Sequence, residues 1–510
     1  MTPKGGVGLL TATMALGVLM DGIDGSIVNV ALPAVAHSFG TDTSVVSWVT
    51  IAYFLMMAGF MLPFGRIATA GHIRRVFLLG FALFTISSLA CALSPTLTVL
   101  IASRVVQGVG AAAIAAVAPM ICVKLLPEEN LGRSLSIMTI GASMGFALGP
   151  ALGGIIVEYL SWHWIFLINI PIGLVAIVIG HLSLPPEETG RVRVDLRGSV
   201  LLFAAVAAGV IALERLSYPE EHMVCVVGAA VTLVCLAAFV RESLRSDHPL
   251  IDVRLFRIRD MDLTLVSYTM INLVYMGVLY VLPFYMDMEL GLSSLASGAI
   301  LLVPSLVTLV LSVPIGNRSD RTGRRGFAIA ASVMAVAYTV ILYAIEPWMG
   351  LPPLIVAALI MGLNWGFCGG TSSGRILDSI PDESKGIGSS LMNFMAYIGS
   401  TVGTALFASL LTFGGGSGGV PIEDMTGDAF MSGMELAMVA GVVLSVVSVV
   451  TAFLVDERKR TRRTLRRPVV RDHGSPRPCM GRKRVTEGPV SICHPQGRHG
   501  LDGQARLPRS

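Results

Sequence analysis

Apolar runs of about 20 residues recur along almost the whole chain, each long enough to cross the hydrocarbon core of a bilayer as a helix. Nothing else in the sequence constrains the fold as strongly. In hydrocarbon every backbone amide and carbonyl must be satisfied inside the segment, so such runs fold as helices packed on helices. Fourteen are read from the sequence, over residues 8–34, 45–65, 76–93, 98–122, 134–157, 163–183, 198–214, 223–240, 263–287, 295–316, 327–345, 352–373, 387–412 and 432–455. The composition agrees: 54% of the 510 residues are hydrophobic and 14% charged, more apolar residue than a soluble core of this length needs. The first run starts weakly positive at Lys4 and has no small-residue cleavage site, so it reads as a retained span and not as a signal peptide. The seven cysteines are scattered without metal-ligand spacing and imply no disulfide framework.

Basic residues set the expected orientation. Alternate loops carry Arg66, Arg74 and Arg75; Lys124 and Arg133; Arg191, Arg193 and Arg197; Arg241, Arg245, Arg254, Arg257 and Arg259; Arg318, Arg321, Arg324 and Arg325; then Arg375 and Lys385. The opposite loops hold almost none, with Arg215 at the border. Both termini are therefore expected on the cytoplasmic face of the cell membrane, as an even number of spans requires.

The chain also repeats itself. "PEENLGRSLSIMTIGASMGFALG" from Pro127 and "PDESKGIGSSLMNFMAYIGSTVG" from Pro381 align at a shift of 254 residues, which matches Glu129 with Glu383, Gly132 with Gly386, Met138 with Met392, Gly145 with Gly399 and Gly149 with Gly403. Two parallel halves follow, a known transporter plan. The expected organisation is a six-helix bundle over 1–183, two inserted helices and a cytoplasmic loop over 184–260, a second six-helix bundle over 261–455, and a tail over 456–510. That tail holds 13 Arg and 2 Lys against 5 acids, without apolar period, and reads as disordered.

Charge inside an apolar run is costly and marks function or a buried partner. Arg104 is such a charge, and the repeat places Ala358 at its counterpart, so it is not a packing residue common to both halves. Asp21 and Asp24 sit in the first run, three residues apart and hence on one side of a helix. Two close carboxylates do not both ionise cheaply, which suits proton uptake and release near neutral pH. The alternative for one of them is a hydrogen bond to backbone loosened by Gly22 and Gly25. Asp287, Glu289 and Glu435 read as wetted charges at span ends. Asn169, Tyr275, Asn364, Trp365, Asn393 and Tyr397 are candidates for lining a central cavity.

Two further stretches carry pattern. In "GASMGFALGPALGG", Gly141, Gly145, Gly149 and Gly153 recur every four residues, followed or flanked by Pro150 and Gly154. A stripe of that spacing lets a neighbouring helix approach closely, and the proline permits a bend. In "GNRSDRTGRR", Gly316 and Gly323 are expected to give a tight turn its backbone freedom, and Asp320 can pair with a neighbouring arginine or with a helix N-terminus.

Taken together these stretches resemble the major facilitator superfamily. "GNRSDRTGRR" resembles the loop between the second and third spans of each half in that family, "RVVQGVGAA" (Arg104 to Ala112) its span-four motif, and "GASMGFALGPALGG" its span-five antiporter motif. "DGSIVNVALP" (Asp24 to Pro33), "WHWIFLINIPIG" (Trp162 to Gly173), "PLIDVRLF" (Pro249 to Phe256) and the inserted helix pair resemble the fourteen-span drug:proton antiporter branch. The resemblance covers residues 8–455. It implies an all-α membrane fold of two rocking six-helix bundles and secondary active export of a hydrophobic or amphiphilic compound, often a drug or antibiotic, in exchange for protons. Asp21 or Asp24 would carry the proton and Arg104 would tune its release. The stripe Gly141, Gly145, Gly149, Pro150, Gly153 and Gly154 would form a gating helix, and Gly316, Asp320, Arg321, Gly323 and Arg324 a gating loop. The first-half copy of that loop, "GRIATAGHIRR", departs from the pattern: Thr69 stands where the family has its aspartate, and Ala70 and His72 replace the expected arginine and glycine.

The partners implied are a hydrophobic small molecule, protons and lipid, with no nucleic acid and the chain acting as a monomer. No cofactor is expected, since there is no Gly-x4-Gly-Lys-Ser/Thr loop, and no enzyme, since there is no HExxH, GxSxG or paired-acid loop. Transport of one specific metabolite, in either direction, and a non-transporting receptor or scaffold on the same fold stay open. Intramembrane charge argues against the latter.

Overall fold

A computed structural model describes residues 7–125, 128–186, 195–246, 249–379, 385–416, 420–421 and 424–455. No strand occurs among them. In chain order the helices are α1 (Val7–Phe39), α2 (Thr43–Ile67), α3 (Ile73–Ala92), α4 (Leu97–Leu125), α5 (Glu128–Tyr159), α6 (Trp164–Leu167), α7 (Asn169–Ser183), α8 (Leu196–Arg215), α9 (His222–Arg245), α10 (Arg259–Met288), α11 (Ser294–Thr322), α12 (Arg325–Tyr343), α13 (Leu351–Ser379), α14 (Lys385–Gly414) and α15 (Gly427–Leu454). Several begin where short polar side chains satisfy the free amides of the first turn: Asp42 accepts from Val45 N at 2.6 Å and Asp195 from Gly198 N at 2.8 Å.

Among the described residues twelve helical stretches are long and apolar enough to cross a membrane. One of them, Thr43–Ala92, runs to 50 residues and contains both α2 and α3, joined by a π-helical turn over Ala68–His72. In α5 the apolar part, Met144–Tyr159, is shorter. Burial grades outward from the centre: 83% of the apolar window of α10 is buried and only 6% of that of α9, so α9 lies on the outside.

The sequence repeat becomes a packing repeat. α1 packs on α5 as α10 does on α14; α4 holds α2 and α3 as α13 holds α11 and α12; α7 packs on α3 as α15 does on α12. Between the halves the contacts are equally paired, α5 on α11 and α2 on α14. α8 lies across the second seam, touching both α2 and α14, with Phe203 set against Gly59 and Phe60. At one end of the bundle polar contacts join the halves: His37 Nε2 with Asp287 Oδ2 at 3.0 Å, Thr43 Oγ1 with Thr412 Oγ1 at 3.0 Å, and the Tyr280 hydroxyl donating to Thr43 O.

The two loop motifs differ as their sequences do. In the second half Gly323 has φ of 104°, which glycine alone takes easily, and caps α11. Gly316 is a correction: it lies inside α11 with no atom near its absent Cβ, so no backbone freedom is needed there. Arg324 donates to Asp320 Oδ1 at 2.6 and 2.9 Å and to Asp378 on α13, crossing Gly374, where any Cβ would strike the guanidinium. Arg321 is exposed. In the first half the positive φ moves to Gly71, at 108°, next to the His72 that stands in the expected glycine's place. Thr69 turns its hydroxyl back onto Gly65 O at 2.7 Å. The ionic tie of the second loop has no counterpart at position 69 because a hydroxyl satisfied by its own helix carries no charge to offer.

Candidate functional site

Three residues along a helix turn it by about 300°, which leaves Asp21 and Asp24 on neighbouring but distinct faces of α1. The fold uses the difference to send them to separate partners. Asp24 faces α4 and α7 and is fully buried. Its Oδ2 accepts from Arg104 Nη1 at 2.7 Å; its Oδ1 accepts from Asn169 Nδ2 at 2.9 Å and Gln107 Nε2 at 3.1 Å. Arg104 is as deeply buried, and donates also to Gln107 Oε1 at 2.7 Å and, through Nε, to Val49 O at 2.9 Å. Ser88 on α3 takes the remaining proton of Gln107 at 2.7 Å. Five helices thus meet at one dry polar node in which the carboxylate receives three donors, the condition under which a buried pair holds together.

Asp21 faces α2 and α14 and is partly accessible. Among the described residues it meets no cation. Its Oδ1 accepts from the Tyr53 hydroxyl at 3.1 Å, and the Tyr397 hydroxyl reaches its Oδ2 at 3.4 Å. Tyr53 joins the two acids: its hydroxyl serves Asp21 while its ring lies under the Arg104 guanidinium, 4.1 Å from the charged carbon to the ring centre. Tyr397 comes from the other half and stacks on Phe54 with ring centres 6.4 Å apart. Neither acid bonds to loosened backbone, because Gly22 and Gly25 stay helical; they admit α5 and the Phe54 ring instead.

The glycine stripe of α5 packs on this same helix. A Cβ at Gly145 would come within 2.5 Å of Leu19 O, one at Gly149 would strike Ser26 Oγ, and one at Gly153 would come within 2.9 Å of Ile27 O; at Gly141 the nearest atom is 3.5 Å away. Gly154 instead meets α11, where Gly298 and Ser294 O approach as closely, and Pro150 O faces Gly298. The stripe therefore serves two interfaces, one within the first half and one between halves. In the second half Gly399 and Gly403 meet α10 at Asn272 and Leu273 in the same manner.

Beyond this seam lies a cavity of about 190 Å³ between the halves. Ser26 and Asn29 of α1, Phe146 and Pro150 of α5, and Tyr275 of α10 with Trp365 of α13 form its walls. Tyr275 and Trp365 stack at 4.9 Å. Four of the cavity candidates lie elsewhere, which corrects the sequence reading. Asn169 serves Asp24, Asn364 is buried and donates to Ala331 O at 2.8 Å, Asn393 is exposed away from the cavity walls, and Tyr397 faces Asp21. Sequence reasoning missed Tyr53, Gln107 and Ser88. Gln107 follows Arg104 by three residues and so shares its face, a signal that was present; Tyr53 and Ser88 carry none. Asp287 and Glu289 do sit at the end of α10, but Asp287 pairs with His37 and Glu289 leans over the start of α15 at Gly427.

A family model described as Major Facilitator Superfamily matches residues 14–404. A riboflavin transporter, RibZ, of Clostridioides difficile is 29% identical over 399 residues, covering 78% of this chain and 86% of that protein. A putative multidrug resistance protein, MdtD, of Escherichia fergusonii is 29% identical over 402 residues, covering 78% and 85%. Among solved structures, a bacterial homolog of the human lysosomal transporter Spinster, inward-facing and unoccupied, superposes with a TM-score of 0.64 at 15% identity over 88% of this chain and 98% of that one. A D-xylose–proton symporter does so with 0.62 at 14% identity over 89% and 98%.

Proposed function

The chain belongs to the Major Facilitator Superfamily, and from that footing we propose that it exports a hydrophobic or amphiphilic compound, a drug or antibiotic among them, across the cell membrane in exchange for protons. It is a membrane transporter and not an enzyme. One observation carries the finer reading: two carboxylates share α1, one sealed in an ion pair and one accessible with only hydroxyl partners, a turn away from an apolar cavity between the halves. Asp24, matched by Arg104 and held by Asn169 and Gln107, is the fixed charge that organises the first half. Asp21 is the proton carrier, because it is the less buried of the two and, among the described residues, has no cation to hold its charge. Arg104 acts on Asp21 through the Tyr53 ring and not by direct contact.

In this reading α1–α5, the α6–α7 pair and α8–α15 make fourteen spans, with residues 1–183 and 261–455 as the rocking bundles, 184–260 as the insertion and both termini cytoplasmic. The tail, 456–510, lies outside the described residues. Substrate sits against Tyr275 and Trp365, and the close α1–α5 seam keeps the path tight while the halves rock.

A second reading has support of its own. The stacked Tyr275–Trp365 wall suits a flat aromatic compound, and one relative is named a riboflavin transporter; transport of a single such metabolite would use the same cavity. Proteoliposomes carrying an imposed proton gradient separate the readings when challenged in parallel with ethidium and with riboflavin. Export reads as gradient-driven ethidium accumulation that collapses with an uncoupler and is lost in Asp21→Asn. Accumulation indifferent to the gradient, or undiminished in Asp21→Asn, overturns the antiport assignment.

A further inference from the structure

Tyr397 stands out because it joins the accessible acid of one half to a helix of the other. It enters from α14, stacks on Phe54 and presents its hydroxyl to Asp21 at 3.4 Å, while Tyr53 of α2 presents its own at 3.1 Å. The seam between α2 and α14 is one of the two most extensive by which the halves touch. Its counterpart seam, α5 on α11, closes through glycine and backbone at Gly154 and Gly298, with the Glu158 carboxylate accepting from Leu295 N at 3.4 Å beside them. The repeat places Ser143 where Tyr397 stands, so among the described residues the α2–α14 seam, and not the α5–α11 seam, sets a phenol opposite an acid.

We propose that the Tyr397 hydroxyl is a latch between the halves that reads the protonation state of Asp21. This rests on Asp21 being the proton carrier. An ionised Asp21 accepts from both phenols, and a hydrogen bond to a charged acceptor is shorter and about twice as strong as a neutral one. The 3.4 Å reach is long for a hydroxyl donor and leaves room to tighten. Once protonated, the carboxyl keeps an acceptor oxygen but loses the charge, and its own proton competes for the same partners. Tyr53 remains beside it, fixed under Arg104 by the node that holds Asp24. Tyr397 is held by its stack on Phe54 and, among the described residues, by no charged group over its ring, so the weaker bond gives way on the α14 side. The groups facing Asp21 are then Tyr53 from α2, Tyr397 from α14 and Asp24 on its own helix, with Arg104 behind the Tyr53 ring; α5 faces α1 here with Gly141 and Gly145. Nothing but Asp21 needs to titrate. Tyr397 is a positioning residue, since it is not among the residues that line the cavity. The transport cycle gains from it a directional link: a proton bound in one half weakens the grip of the other.

The test reads the seam directly and needs no substrate. Paired labels, introduced as unnatural amino acids, are placed at the C-terminal end of α2 and the N-terminal end of α14 of the full chain in lipid nanodiscs. Their separation is followed from pH 5 to pH 9. Wild type is expected to widen on acidification. Tyr397→Phe, which keeps the ring and its stack on Phe54, is expected to favour the wide arrangement by about tenfold at every pH above the midpoint, the order expected for one hydrogen bond to a charged group. Asp21→Asn is expected to abolish the pH response, and adding Tyr397→Phe to it is expected to change nothing more. A Tyr397→Phe titration that overlays wild type overturns the latch, as does an effect of Tyr397→Phe of equal size in the Asp21→Asn background, which marks a packing role. Tyr397→His, a smaller ring able to donate, is expected to restore part of the response; failure of Tyr397→Phe to fold would move the comparison to that variant. Gradient-driven ethidium transport, measured on the same preparations, tells the two readings apart: coupled transport with an inert Tyr397 removes the latch alone, and a pH-driven seam without coupled transport removes antiport alone.

Discussion

Arg104 and Asp24 lie 2.7 Å apart at 1% and 0% exposure, so removing either strands the other as a buried, unmatched charge. A loss of that kind costs about 3–5 kcal/mol, far more than an exposed pair is worth. Arg104→Gln should be the worse of the two single variants. It also gives up the Nε bond to Val49 O and the seat over the Tyr53 ring, the latter worth about 2 kcal/mol when dry. The double variant Asp24→Asn with Arg104→Gln leaves no charge at all, and its amides can bond to each other and to Gln107 and Asn169. Independent losses would sum to about 6–10 kcal/mol, whereas linked losses predict a double variant no worse than about one single, a coupling at or above the usual range for contacting residues. Unfolding of the purified protein in mixed micelles of rising SDS content measures all four corners of the cycle. Where a single variant is too unstable to purify, rescue of folded yield by the second substitution reads the same sign. Single variants each costing less than about 1 kcal/mol, or a double variant equal to their sum, would refute the claim that the node is a matched pair in a dry site.

Two further outcomes follow from the packing. Gly145→Ala should abolish transport without preventing membrane insertion, because its Cβ would stand 2.5 Å from the Leu19 backbone carbonyl, while Gly141→Ala, with 3.5 Å to spare, should transport normally; equal activity of the two in a vesicle assay would mean the α1–α5 seam is not tight. Trp365→Ala should raise the KM for an aromatic substrate by roughly three- to tenfold, the worth of one aromatic pair, and leave the pH profile unmoved; an altered profile would place the tryptophan in the proton path.

How much of this was legible in the sequence follows from the range of each interaction. Hydropathy and the 254-residue repeat are properties of local stretches compared with one another, and hydropathy predicted helices close to where those of α1–α15 lie. The glycine stripe was legible for the same reason: spacing along a helix fixes a face. So was the loop motif, except at Gly316, where a glycine inside a continuing helix looks in sequence like one that breaks it.

What tertiary structure alone decided is which faces meet. The spacing of Asp21 and Asp24 suggested one shared site; the packing of α1 against α4 and α7 on one side, and the reach of Tyr53 from α2 and Tyr397 from α14 on the other, divided it in two. Arg104 is 80 residues from Asp24 in sequence, and Tyr397 is 376 from Asp21. No periodicity carries information over such separations. The sequence by itself determined a two-fold repeated membrane helix bundle with intramembrane charge, because burying backbone in lipid and keeping charge inside the bundle leave few other solutions. Only the folded chain matched each charge to a partner, since that depends on directions around neighbouring helix axes, which close packing sets.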